Sequence, residues 1–328
     1  MKVYNLICSI TLNCINTKIE ECKISYITAI SYIVEYYEFD EYNNTNEYQY
    51  LKKLISIGFI SMCFKFININ FINSITYNFD LIHAILNFLI NYTEKSNRNL
   101  ISILFKYNIH HVMISIIKKL YLNYNYNSLN NKDILEKNNT LLNIAISILH
   151  NIYIDNNNIH DIFCDKSNLE LLLNILTNTN NEQTRYYSLI LLHTIIENNN
   201  PKMLNLLLNN NLPNLIYNIL KCYKIIDIDN LNLSIISTID IIDKYENYVK
   251  TNLYIKNTYA LSCLECDYIS ILEEIKYELE QKYNNLYNES DFYNYNNSLK
   301  SINSLLDILK DGQNKLNKDI YDEIIENN

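Results

Sequence analysis

The chain has 328 residues, 48% of them hydrophobic and 19% charged, so it carries enough apolar material for a sizeable core despite its many asparagines. Its 27 basic and 36 acidic side chains leave a formal charge of −9, which disfavours nucleic acid or an anionic membrane as the main partner and suits a basic peptide. With 2 glycines in the whole chain, neither a phosphate-binding loop nor a dinucleotide fingerprint can be assembled.

Taken in order, Val3 to Leu12 predicts an amphipathic helix. Cys22 to Phe39 predicts a longer one, with Ile24, Ile27, Ile30, Ile33 and Val34 on a buried face. The asparagines at 43–46 break the pattern. A short helix from Tyr48 to Ile57 then leads through Gly58 into an apolar helix from Phe59 to Phe66. Gly58 marks a sharp joint, because glycine enters positive φ at little steric cost. The same order of helices returns at Asp80–Tyr92, Arg98–Phe105 and Ile109–Leu120. Residues 123–139 are rich in asparagine and poor in apolar periodicity, and predict an exposed polar insertion.

The next unit comprises Leu141–Tyr153, Ile159–Cys164 and Leu169–Leu176, with its joint at Asp165–Asn168. Three helices follow between Glu182 and Cys222. Asn198–Asn200 and Pro201 stop the first of them, since asparagine tolerates a left-handed cap and proline suits a first turn. The third carries Leu212, Leu215, Ile216, Ile219 and Leu220 on one stripe. Leu231–Tyr248, Tyr259–Cys266 and Tyr268–Leu279 come next. Leu286–Tyr293 supplies a partial helix, and Ser298–Leu309 and Leu316–Ile325 predict two more, separated at Asp311–Asn314.

A short helix flanked by two longer ones within about 40–47 residues cannot bury its own apolar face and must stack on copies of itself. The expected fold is therefore all-α: a right-handed armadillo/HEAT-like superhelical solenoid of about five to seven repeats. The solenoid is assigned to residues 1–296 and a helical cap or acidic tail to 297–328. The last helix of each unit begins at Phe59, Ile109, Leu169, Leu212 and Tyr268; of the steps of 50, 60, 43 and 56 residues only the third matches the usual armadillo length, and the longer ones contain polar inserts.

Chemical motifs are sparse. Cys8, Cys14, Cys22, Cys63, Cys164, Cys222, Cys263 and Cys266 lie mostly singly in apolar runs, as thiols packed in a reducing compartment would. Cys263-Leu264-Glu265-Cys266 lacks the second ligand pair of a zinc site. His83, His110, His111, His150, His160 and His193 form no metalloprotease pattern. The paired carboxylates Glu273-Glu274 and Asp322-Glu323 read as solvated helix faces. The opening residues lack the apolar core of a signal peptide, and no apolar run has transmembrane length. No cofactor, metal or enzymatic activity is expected.

Four segments carry a family likeness: NIAISILHNI (143–152), YYSLILLHTI (186–195), NPKMLNLLLNNNLPNLIYNIL (200–220) and NTYALSCLECDYISILEEIKYELEQKYNNLYNESDFY (257–293). Together they make residues 139–293 resemble the last armadillo repeats of importin alpha, the adaptor for nuclear-localisation-signal cargo. The resemblance implies a peptide held in a concave groove by an asparagine column and a tryptophan column. The asparagine column falls on Asn91, Asn151 and His193; the tryptophan column falls on Asn87, Ser147 and Leu189, in a chain with no tryptophan. It further implies a protein or basic-peptide cargo, an importin-beta-like or export receptor as a second partner, and residence in cytoplasm, nucleus or both. Asn200-Pro201-Lys202 is also similar to a turn of chaperone nucleotide-exchange factors, which implies a scaffold or chaperone cofactor as the alternative.

Overall fold

The computed structural model describes residues 2–36, 52–72, 77–95, 98–127, 132–154, 162–163, 165–197, 201–222, 228–251, 258–283 and 289–326. Within them the regular structure is helical throughout. The predicted break at 43–46, most of the helix predicted at 159–164 and the joint at 198–200 lie outside the described residues. The chain packs as two compact units, Met1–Ile159 and His160–Asn328.

The first unit opens with a helix pair, α1 (Lys2–Asn16) and α2 (Glu20–Tyr36). A repeat follows, with helical turns over 52–56, then α3 (Phe59–Ile67) continued by a π-helical turn at Asn68–Ile72, then α4 (Phe79–Lys95). A second repeat comprises α5 (Arg98–Phe105), α6 (Ile109–Asn127) and α7 (Lys132–Ile154). The long closing helices stack, α2 on α4 and α4 on α7, while α6 backs α7. Ile27, Ile30 and Val34 of α2 and Ile85, Phe88, Leu89 and Tyr92 of α4 are buried in that core. Phe59 meets Phe88 edge to face at 5.0 Å, which ties the start of α3 to the closing helix of its own repeat.

The second unit has the same plan. A pair, α8 (Lys166–Asn178) and α9 (Glu182–Glu197), precedes the repeat α10 (Pro201–Asn209), α11 (Leu212–Lys221) and α12 (Ile228–Thr251). The last repeat is α13 (Thr258–Glu265), α14 (Tyr268–Tyr283) and α15 (Glu289–Glu326). Here α12 lies between α9 and α15, and α15 also covers α13 and α14. Ser298, Ile302, Leu305, Leu306 and Leu309 are the buried side of α15. No break falls at residue 296, and Asp311–Asn314 lies inside α15 rather than between two helices. Gly312 weakens a helix by no more than about 1 kcal/mol, too little to stop one that already has a buried stripe.

One backbone device recurs at the joint between the short and middle helices. Gly58, Asn108, Asn211 and Asp267 all have positive φ, at 82°, 52°, 57° and 61°. Each donates its N–H to the carbonyl three residues back: Ile55, Phe105, Leu208 and Leu264. Each then offers its own carbonyl to the first turn of the next helix, at Met62, Val112, Leu215 and Ile271. The residue that follows, Phe59, Ile109, Leu212 or Tyr268, is fully buried. A left-handed residue thus turns the chain sharply while satisfying helix-end groups on both sides. The joint before α8 solves the same problem differently. Asp165 is extended (φ −71°, ψ 116°), and its Oδ1 accepts the Ser167 N–H at 2.9 Å as an N-cap.

The polar segment 123–139 is helical where it is described, and residues 132–134, 136 and 137 are exposed while Asn138 and Asn139 are buried. Residues 123–127 continue α6 and 132–139 open α7, with 128–131 outside the described residues. Asn138 is only 4% exposed, and its Oδ1 accepts the Tyr77 hydroxyl at 2.6 Å. Satisfied in this way, a carboxamide can be buried at little cost.

Candidate functional site

The third helices of the repeats carry the residues singled out from sequence. In the first unit, α2 and α4 enclose a cleft of about 480 Å³. From α2 it is lined by Ile24, Thr28, Ser31, Tyr32 and Glu35, and from α4 by Asp80, His83, Ala84, Asn87 and Asn91. Spacings of three and four residues put each set on one helix face.

Glu35 and Asp80 are exposed on this cleft, and neither forms an ion pair among the described residues. Tyr32 stands 57% exposed beside them. His83 stacks on Phe79 at 5.3 Å, and Asn87 Nδ2 lies 3.3 Å from its Nε2. Burial pulls the His83 pKa below its ordinary value, with Asp80 opposing, so the ring is neutral near pH 7 and can accept from Asn87. The Asn87 carbonyl oxygen has no partner among the described residues.

The asparagine column has a structural task. Asn91 Nδ2 donates to the Ser31 carbonyl at 3.3 Å and to its Oγ at 3.1 Å, crossing from α4 to α2. Asn151 Nδ2 donates to Thr93 Oγ1 at 3.2 Å, crossing from α7 to α4. These amides knit neighbouring third helices together. In the second unit the column position is His193, whose Nδ1 lies 3.3 Å from Asp240 Oδ2 on α12 and whose Nε2 lies 3.7 Å from Glu197. Burial raises the Asp240 pKa, against the pull of His193 and Lys244. Lys244 Nζ reaches the Ile196 carbonyl at 2.6 Å, a cation at the carboxyl end of α9.

The tryptophan column divides. Asn87 lines the first cleft, but Ser147 is buried with its Oγ on the Asn143 carbonyl at 2.9 Å, and Leu189 is fully buried. Neither presents a side chain to a peptide. Tyr32, Glu35, Asp80 and His83 escaped the sequence reading. Their signal was the polar stripe Thr28, Ser31, Tyr32 and Glu35, opposite the apolar face of α2.

No metal-binding group of three His, Cys, Asp or Glu side chains forms among the described residues. Cys263 is buried, and that burial pushes its thiol pKa well up, which removes thiolate character from the CxxC. Among the described residues no helix is long and apolar enough to cross a membrane.

Stacked helix pairs and triplets with a groove-facing third helix define an armadillo-like repeat protein. The chain is similar to a designed armadillo repeat protein at 14% identity and TM-score 0.57, covering 90% of this chain and 99% of that one. It is also similar to an engineered protein at 10% identity and TM-score 0.56, covering 91% of this chain and 97% of that one. At these identities the likeness is one of fold. No family model matches the sequence, and no curated protein does.

Proposed function

We propose that this chain is a non-enzymatic armadillo-type adaptor that takes a basic segment of a partner protein on its third helices, in the manner of importin alpha. The observation that carries the reading is the unit-1 cleft, where Glu35 and Asp80 face a groove of about 480 Å³ that no cation lines among the described residues. Lysine or arginine entering it would meet two carboxylates, the exposed face of Tyr32 and the free carbonyl of Asn87. Tyr32 supplies the aromatic face in a chain without tryptophan. Extending the reading, nuclear-localisation-type segments are the cargo, an importin-beta-like or export receptor is the transport partner, and the protein works in cytoplasm and nucleus.

The test is fluorescence anisotropy with a labelled lysine-rich peptide. Affinity should fall as salt rises, because contacts to exposed charges are screened. Glu35→Gln with Asp80→Asn should weaken binding about tenfold or more. Asn151→Ala should lower stability and leave affinity alone, since its amide is engaged with Thr93. Equal affinity in the charge-neutralised variant would refute the site. Failure to capture an importin-beta-like receptor would refute only the transport extension.

A further inference from the structure

A second cleft, of about 340 Å³, lies in the second unit and has the opposite electrostatic character. It is formed by the end of α8, the start of α9, the left-handed joint at Asn211 and the exposed side of α11. Among the described residues Arg185 of α9 is its one charged lining residue, and no Asp or Glu lines it. Arg185 Nη2 donates to the Thr179 carbonyl at 2.8 Å, which holds the guanidinium at the cleft. Arg185 forms no ion pair among the described residues, so its remaining N–H groups are available. In a chain of net charge −9, an uncompensated arginine in a concavity is a local exception.

Opposite it, Asn214 and Asn218 line the cleft from one face of α11, and neither has a hydrogen-bond partner among the described residues. They stand one turn apart, about 6 Å along the helix. A strand repeats every two residues at about 6.6 Å, so the two carboxamides are spaced to meet successive peptide groups on one edge of an extended chain. Each carboxamide both donates and accepts, as a peptide group does. A bare anion would use only the donors. Leu215 and Ile219 of the same helix add apolar lining.

We propose that this cleft binds an extended peptide segment presenting a carboxylate. Arg185 takes the carboxylate through its free N–H groups, and Asn214 and Asn218 hold the adjoining backbone. The carboxylate can come from an acidic side chain or from a chain terminus, and the occupant is chemically the reverse of the basic segment proposed for the first unit.

The test uses the full chain at about 0.15 M salt, where a Debye length of about 8 Å suppresses the distant negative charges but not contact pairs. Three short fluorescein-labelled serine/leucine peptides are titrated: one with a central glutamate and amidated end, one with glutamine in its place, and one with no glutamate but a free carboxyl terminus. The glutamate peptide, the free-terminus peptide or both should bind at least about tenfold more tightly than the glutamine peptide. The carboxylate-bearing peptide that binds identifies the source. Arg185→Gln should abolish that preference, Arg185→Lys should retain part of it, and Asn214→Ala with Asn218→Ala should weaken all three peptides. Should Arg185→Gln not fold, the exposed asparagine pair decides. Equal affinity for all three peptides, unaltered preference in folded Arg185→Gln, or unaltered binding in the asparagine variant overturns the proposal.

Discussion

Gly58→Ala isolates the strain that each repeat joint imposes on the backbone. At φ 82° an L-residue pays roughly 1–2 kcal/mol for the left-handed conformation. An added Cβ would meet no atom within 4 Å, so no steric term accompanies that strain. Alanine also restricts the unfolded chain, which offsets about 0.4–1 kcal/mol. The net expectation is a loss of about 0.8 kcal/mol, the difference between the midpoints of those two ranges. Urea unfolding followed by far-UV circular dichroism reads it as a lowered midpoint with unchanged slope. Asn211→Gly is the matched control. Asn211 already sits at φ 57°, a region that asparagine tolerates, so glycine there should move stability by only a few tenths of a kcal/mol. A Gly58→Ala midpoint equal to or above that of the parent would show that the joint is not held in the left-handed region, and the shared account of the four joints would fall with it.

Two further outcomes follow from buried polar groups. Tyr77→Phe removes the hydroxyl that satisfies Asn138, leaving a buried carboxamide oxygen unpaired at a cost of about 1–3 kcal/mol; urea unfolding measures it, and a neutral result would show that the Asn138 carboxamide does not depend on Tyr77. Burial lowers the pKa of His83, and burial with His111 nearby lowers that of His110, both from an ordinary value of 6.5. Below 6.5 the unfolded chain therefore binds more protons than the folded one, so stability rises with pH through that window and is lost as pH falls through it. Asp240, raised by burial from 3.8, acts in the opposite sense just above that value. Unfolding midpoints between about pH 7 and pH 5.5 should decline in the parent and flatten in His83→Asn with His110→Asn.

The primary structure already contains the repeat. Large apolar residues at Phe59, Ile109, Leu212 and Tyr268 follow glycine, asparagine or aspartate, and that local pair specifies both the sharp turn and the onset of a buried helix. Such information is legible because it needs only neighbouring residues: a left-handed position and the period of a helix. Burial of asparagine was not legible. Whether Asn138 is solvent-exposed or interior depends on Tyr77, which stands 61 residues away, and composition alone did not separate it from its exposed neighbours. The same held for the candidate sites. Asn91 and Asn151 lie on third helices, and the direction of their amides, toward Ser31 and Thr93 instead of a ligand, was settled by the next helix in the stack. Leu189 and Ser147 occupied the expected register and proved to be core. The acidic cleft around Tyr32 and the arginine cleft around Arg185 each draw their walls from more than one helix. Helix period and turn chemistry are properties of adjacent residues, so the sequence by itself determined the repeat and its joints. The sign of a groove's charge and the freedom of a polar group are sums over side chains that only packing brings together, and those the tertiary structure decided.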